Sequence, residues 1–243
     1  MNKTVLVTGA SRGIGASCAK AFAEEGYHVF LNCQKSLDDL AKVSKYINEE
    51  TLGKATIVAG NVGNPQDVAK MFETIYQHTD ALGVLVNNAG IAHIGLLSDM
   101  SDSEWQSIID VNLSSVFYCC RQAVPPMVSR KAGRIINVSS MWGTCGASCE
   151  CAYSAAKAGV NGLTKALAKE LAPSGISVNA VAAGVVDTVM NGQLNHEERV
   201  QLEEEIPAGR FAEPSEIARL ILQIANAPIY MTGQIIGVDG GLI

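Results

Sequence analysis

Tyr153 and Lys157 stand four residues apart in Tyr153-Ser-Ala-Ala-Lys157, and Ser140 lies thirteen residues before the tyrosine. Positions i and i+4 share one face of a helix, so the lysine ammonium can lie beside the phenol. A free phenol has a pKa of about 10 and is a poor proton carrier at neutral pH. A neighbouring cation favours the phenolate and brings that pKa towards the working range. A serine hydroxyl can hold a substrate oxygen against the phenol. The pattern points to proton transfer at an oxygen. Taken alone it also describes an ordinary solvated helix face, so the elements around it decide.

The N-terminus supplies that context. Thr4-Val-Leu-Val-Thr8 is an apolar, β-branched run, followed by Gly9-Ala-Ser-Arg12-Gly13-Ile-Gly15 and a helical pattern up to Gly26. Strand, glycine-rich turn and helix in that order make a phosphate cradle. The glycines let the backbone approach a pyrophosphate, and the helix N-terminus faces its charge. The spacing Gly-x3-Gly-x-Gly differs from the commoner Gly-x-Gly-x-x-Gly.

Thr8-Gly-Ala-Ser-Arg-Gly-Ile-Gly15, Asn87-Asn-Ala-Gly90, Asn112, Ser140 and Tyr153-x3-Lys157 together resemble the short-chain dehydrogenase/reductase family along the whole chain. The resemblance is greatest to its 3-oxoacyl-(acyl-carrier-protein) reductase-like branch. It implies a catalytic set of Asn112, Ser140, Tyr153 and Lys157. The phenol is the general acid, Ser140 fixes and polarises the carbonyl, Lys157 lowers the phenol pKa and binds the nicotinamide ribose, and Asn112 holds a water leading protons to Lys157. Ser139 competes with Ser140 for the serine role; the spacing to Tyr153 matches the family for Ser140. A dinucleotide-sensing module without catalysis is the reading from another class. The presence of all four residues argues against it.

Cofactor choice is argued from the end of the second strand, where a carboxylate binds the adenosine ribose hydroxyls of NAD and repels a 2′-phosphate. Here that stretch is Leu31-Asn-Cys-Gln34-Lys35, without a carboxylate, and Arg12 and Lys35 offer positive charge. NADP(H) is expected in preference to NAD(H). Expected around it are Gly9, Ser11, Arg12, Gly13, Ile14, Gly15, Gln34 and Lys35. By resemblance Asn61 and Val62 flank the adenine, Asn88-Ala89-Gly90 supports the ribose, and Val186 and Thr188 hold the nicotinamide and diphosphate end, with Tyr153 and Lys157 completing the set. Where the family usually has Pro-Gly, this chain has Ala183-Gly184.

Length, composition and charge fit one enzyme domain spanning residues 1–243, which is long enough to bury a large core. Hydrophobic content of 48% with 17% charged residues reads as globular, and a formal charge of −6 disfavours nucleic acid or an anionic membrane as partner. No apolar stretch reaches the roughly 18–20 residues of a membrane span and no basic leader precedes the first strand, so a cytoplasmic location is expected. Seven cysteines without a Cys-x-x-Cys pair suggest neither a disulfide framework nor a zinc site. Cys145, Cys149 and Cys151 cluster before Tyr153. A metal or redox switch there competes with plain packing of small residues in a loop over the site. His28, His78, His93 and His196 are scattered and suggest no metal set; His93 is placed at the substrate mouth.

Strand-like runs at 4–8, 28–32, 56–59, 84–87, 133–139, 177–181 and 234–238 alternate with amphipathic segments at 36–51, 65–79, 103–130, 152–171 and 214–227. That alternation predicts an α/β fold, a doubly wound Rossmann-type domain with a mainly parallel seven-stranded sheet and helices on both faces. Ser101-Asp-Ser-Glu104 reads as a helix start of capping-box type. Residues 187–207 are polar and poorly periodic and are expected to form a lid.

The substrate is less legible. An acyl-carrier-protein is acidic, and Arg130, Lys131 and Arg134 form a local basic cluster. Lys131 matches one carrier-docking position of the branch, whereas the second is Ser174 here. The stretch from Ser139-Ser-Met-Trp-Gly143 through Gly146-Ala-Ser-Cys-Glu150 also resembles a subgroup that reduces the 5-aminopentanone modification on elongation factor P, with Glu150 placed to meet an amine. A 3-oxoacyl thioester or small ketone is the main expectation. Apolar residues on 103–130 and 152–171, and the apolar C-terminal strand, predict a homotetramer, the assembly the resemblance implies.

Overall fold

The computed structural model describes residues 3–192 and 194–243. Seven strands form one sheet: β1 (Thr4–Val7), β2 (His28–Leu31), β3 (Lys54–Ile57), β4 (Val84–Asn87), β5 (Gly133–Ser140), β6 (Ile176–Ala183) and β7 (Ile235–Val238). They lie in the order β3-β2-β1-β4-β5-β6-β7, and every neighbouring pair is parallel. Helices α1 (Gly13–Glu24), α2 (Leu37–Glu50), α3 (Pro65–Tyr76), α4 (Asp102–Ile109), α5 (Ser115–Arg130), α6 (Trp142–Cys145), α7 (Cys151–Leu171), α8 (His196–Glu205) and α9 (Pro214–Asn226) connect them. The expected doubly wound α/β architecture is the one found.

Both faces of the sheet are covered, which is why its strands are apolar at successive positions. Val5 and Val7 of β1 point into the core beneath α1, α2 and α9, and Leu6 between them points into the core beneath α3, α5 and α7. All three are fully buried, and each such side chain contributes about 1.5–3 kcal/mol. A polar thread crosses the second core. Asn87 Nδ2 donates to Asn137 Oδ1 at 2.8 Å, and Asn137 Nδ2 donates to Thr164 Oγ1 at 2.8 Å, tying β4 and β5 to α7.

Several element boundaries depart from expectation, three of them instructively. β3 runs over Lys54–Ile57, two residues earlier than the apolar run, because pairing with β2 begins at His28↔Lys54. β6 extends to Ala183, since Ala182 and Ala183 are buried between β5 and β7, a tertiary reason that strand propensity does not carry. The segment 103–130 is not one helix. It is α4, capped by the Ser101/Glu104 box, a π-helical turn at Asp110–Ser114, and then α5.

Candidate active site

The strand order reverses at β1, which has β2 on one side and β4 on the other, and a crevice opens there at the carboxyl ends of the strands. It is a cleft of about 1080 Å³, lined by the turns after β1, β2, β3, β4 and β6, the end of β5, and the first turns of α7. Of the seventeen positions expected to hold the cofactor, all but Gly15 line it directly. Gly15 lies behind the turn, where a Cβ would fall on the Gly9 carbonyl oxygen.

The cradle is built by close approach. Gly9 has φ +66°, and a Cβ there would sit 2.9 Å from Ala89 Cα. The Thr8 hydroxyl joins the two turns, accepting from the backbone N–H groups of Asn88 at 2.9 Å and Ala89 at 3.0 Å. Asn88 Nδ2 donates back to the carbonyls of Thr8 and Gly9. Helix α1 begins with no side-chain cap and no acidic residue in its first turn. Its N–H groups and the positive end of its dipole are therefore left for an anion. The residues present fit a dinucleotide pyrophosphate. At the end of β2 the buried Cys33 and the exposed Gln34 and Lys35 follow Asn32, whose amide is spent on Val58 and Gly60.

The structure brings Ser140, Tyr153 and Lys157 together at the far end of the same cleft. Ser140 rides the last rung of β5, opposite Ala183. Its hydroxyl meets the Tyr153 phenol, and its Oγ accepts from the backbone N–H of Trp142 at 3.2 Å. Lys157, buried at 4% exposure, donates from Nζ to the Val138 carbonyl at 2.8 Å and lies 5.5 Å from the Tyr153 ring centre. Ser139 turns away and donates to the Lys157 carbonyl at 3.3 Å, which separates the two serines.

The electrostatics differ from the expectation in one respect. Burial pushes the Tyr153 phenol up to about 12; the bond from Ser140 opposes that, and the Glu150 carboxylate adds to it. Lys157 makes no hydrogen bond to the phenol that would offset this: burial brings its own ammonium down to about 8, and Nζ donates to the Val138 carbonyl instead. Glu150 caps α7 half-buried; burial raises its carboxyl, while the Trp142 indole partly restores the charged form.

Asn112 is buried in the π-turn and does not line the cleft. Its side-chain amide donates to the carbonyls of Ile91 at 2.9 Å and Ile108 at 3.0 Å, and its Oδ1 accepts from the Ile91 N–H at 3.2 Å. The side-chain amide thus locks the π-turn onto the loop after β4. Helix α6, with Trp142, and the Val138 carbonyl are the parts that sequence reasoning missed. The only sequence signal was the Trp142-Gly143 pair lying between Ser140 and Tyr153.

The basic cluster is dispersed. Arg130 pairs with Asp80 at 2.6 Å, and Arg134 lies partly buried near Tyr27 with its Nε unpartnered. Arg134 lies at the amino end of β5, six steps from Ser140, about 20 Å at 3.3 Å per residue. Cys145 and Cys151 are exposed rather than packed, and no three ligating side chains converge among the described residues. His93 stands beside the mouth, 4.0 Å from Glu104.

Comparison with known proteins settles the lineage. A model of the short chain dehydrogenase family matches residues 3–199. The chain belongs to that family. It is 42% identical to a 3-oxoacyl-[acyl-carrier-protein] reductase of Staphylococcus epidermidis, over 100% of this chain and 99% of the relative. It is 39% identical to an uncharacterized oxidoreductase of Bacillus subtilis, with 99% of both covered. Among solved structures, a 3-oxoacyl-[acyl-carrier protein] reductase from Brucella melitensis superposes with a TM-score of 0.91 at 34% identity, over 98% of this chain and 90% of that one. A putative gluconate dehydrogenase from Agrobacterium tumefaciens does so with 0.92 at 33%, over 98% and 95%. This short-chain dehydrogenase is an oxidoreductase, and the family's cofactor is a nicotinamide dinucleotide. Among the described residues no helix is long and apolar enough to cross a membrane.

Proposed function

We propose that this protein reduces a ketone to a secondary alcohol with NADPH, and that the ketone is a 3-oxoacyl thioester. The observation that carries the reading is the meeting of Ser140, Tyr153 and Lys157 at one end of a cleft whose other end is a glycine cradle. The bound cofactor supplies a hydride to the carbonyl carbon. The chain's own part is to place and protonate the oxygen. Ser140 donates to the carbonyl oxygen and polarises it, and Tyr153 gives up its phenol proton as charge develops there. A phenol that stays protonated to about 12 is an acid throughout the neutral range. Lys157 holds positive charge beside the site below about 8, and so favours the phenolate that proton transfer leaves behind.

Support for NADPH lies at the β2 end. No carboxylate follows the strand, Arg12 and Lys35 line that part of the cleft, and the nearby Asp39 is taken by Lys42 at 2.8 Å. The thioester reading draws on the names of the full-length relatives. Residues 187–207 serve as the lid: Val189 and Met190 reach the cleft, and α8 buries no side chain. Gln193 of that segment lies outside the described residues. A homotetramer is supported by Phe117, 46% exposed on α5, and by the half-exposed strand β7 at the sheet edge.

A second reading is favoured by Glu150. A half-buried carboxylate near the proton donor suits a ketone that carries an amine, such as the 5-aminopentanone group on elongation factor P. The deciding assay follows NADPH and NADH oxidation with an acetoacetyl thioester and with that modified factor. Tyr153→Phe is expected to lose at least a thousandfold in turnover with dinucleotide affinity kept; near-normal turnover in that variant would remove the mechanism. Cys33→Asp should shift the preference from NADPH towards NADH by tenfold or more. A wild-type enzyme already faster with NADH overturns the cofactor choice.

A further inference from the structure

The one-turn helix α6 touches Ser140 and Lys157 of the proton-transfer group, and nothing in the mechanism above uses it. Trp142 donates its backbone N–H to Ser140 Oγ at 3.2 Å, and its indole faces the Glu150 carboxylate. Gly143 packs directly on the Lys157 backbone: a Cβ there would stand 2.7 Å from the Lys157 carbonyl carbon and 2.9 Å from its oxygen. The Gly143 carbonyl accepts from Asn161 Nδ2 of α7 at 3.1 Å. Asn161 Oδ1 is buried without a partner among the described residues. An apolar side chain would pack there without that penalty, so what the amide contributes is the bond to Gly143. The Lys157 carbonyl is held from the other side by Ser139.

A hydroxyl has one proton and a free rotor. When Ser140 Oγ accepts from Trp142, its proton is directed away from that N–H, towards the phenol and the cleft. We infer that α6 is a positioning clamp for the reaction: Gly143, seated on Lys157 and tied by Asn161, fixes Trp142 so that the Ser140 hydroxyl is always presented as a donor to the substrate oxygen. The clamp rests on the ketone-reductase reading for its consequence and on the fold alone for its geometry. Gly143 and Asn161 are positioning residues, acting through Trp142 and Ser140.

The test begins without substrate. In Gly143→Ala the added methyl must lift α6 from Lys157, although alanine is the better helix former. Hydrogen exchange of residues 141–146 should accelerate at least tenfold while β4 and α3 keep wild-type protection. Asn161→Leu, which removes the tie without a collision, should accelerate the same segment about threefold and leave the melting temperature unchanged or raised. Uniform acceleration across the fold, or none at 141–146, overturns the clamp.

Turnover then tests the consequence. Gly143→Ala should lower kcat at least tenfold, with KM and dinucleotide affinity within twofold. In alcohol oxidation its rate should rise with pH later than wild type's, since a wandering Ser140 no longer favours the phenolate. In a Ser140→Ala background the Gly143 substitution should cost nothing more. A loss that multiplies with Ser140→Ala, or that comes without a pH shift, shows that Gly143 acts through bulk packing and overturns the proposal. Tyr153→Phe, run beside these, reports on the ketone-reductase reading separately. If that variant keeps its turnover, the reading falls while the exchange result still decides the clamp.

Discussion

The two ends of the cleft are built to different standards. At the cradle, β1 and β4 are fully buried apart from Asn87, which is 5% exposed, and Thr4, which is 6% exposed, and Thr8 and Asn88 stitch their turns together. At the substrate mouth, Ile94, Leu96, Leu97 and Val189 are each about 60% exposed, and α8 buries none of its side chains. Both borders belong to one site, yet only the first is held by the core. The lesson concerns which chemistry tolerates motion. Every turnover uses the same dinucleotide and needs the same placement of it, so that end can be rigid. On the proposed function the mouth admits and releases the ketone, and a surface with few buried contacts opens at low free energy.

The contrast can be broken hardest at the cradle. In Gly15→Ala the methyl falls on the Gly9 carbonyl and stands 2.6 Å from Asn88 Nδ2. Dinucleotide affinity is expected to fall a hundredfold or more, with stability lower by about 1–3 kcal/mol, the usual penalty of overpacking. Fluorescence titration and thermal melts would show it, and wild-type affinity in a folded variant would mean that the cradle yields after all.

A middle-sized effect separates stability from function. Lys157 is depressed to about 8 by burial, so the folded state binds its proton less readily than the unfolded chain. That penalty is fully present below about 8 and is relieved as pH rises from there towards the free-lysine value. Lys157→Met should therefore abolish turnover while raising stability by about 1–3 kcal/mol at pH 7, less the lost bond to Val138, and by less at pH 10. The reduction rate of the wild type should decline as pH rises through about 8. Melts at the two pH values check the first claim; a destabilised variant at pH 7 would contradict it.

The smallest effect belongs to the mouth. Arg199 of α8 holds Asp187 with two bonds at 3.0 and 3.1 Å and Glu203 with one at 3.0 Å, all near solvent. Exposed pairs are worth about 0–1 kcal/mol. Arg199→Ala should raise the ketone KM two- to fivefold and leave dinucleotide affinity alone. An equal loss of both would show that the lid and the cradle are one unit.

The sequence carried the cradle further than the mouth for the same physical reason. Buried parallel strands need continuous apolar runs, and a close backbone approach needs glycine, so β1, β4 and the turn at Gly9 are written in residue type. The convergence of Ser140, Tyr153 and Lys157 was legible because their spacing is fixed by one helix and one strand end. The π-turn at Asn112 was not, since a widened turn depends on where a side-chain amide finds the Ile91 and Ile108 carbonyls. Helix α6 was missed because four residues carry no periodicity. The sign of the Tyr153 shift depended on how deeply both partners are buried, which spacing does not encode.

One feature of the sheet bears on how the enzyme fails when warmed. β5 and β6 pair over eight successive residues, from Gly133↔Ile176 to Ser140↔Ala183, against four for β1 with β2. The Ser140 hydroxyl sits on the final rung, and the next residue continues the pattern, Met141 donating to the Ala183 carbonyl at 2.9 Å. With few buried contacts the mouth is expected to loosen first on heating, and the longest ladder last. Selectivity among ketones should thus blur several degrees below the melting point, whereas the capacity to protonate an alkoxide disappears only in the cooperative transition that destroys the sheet.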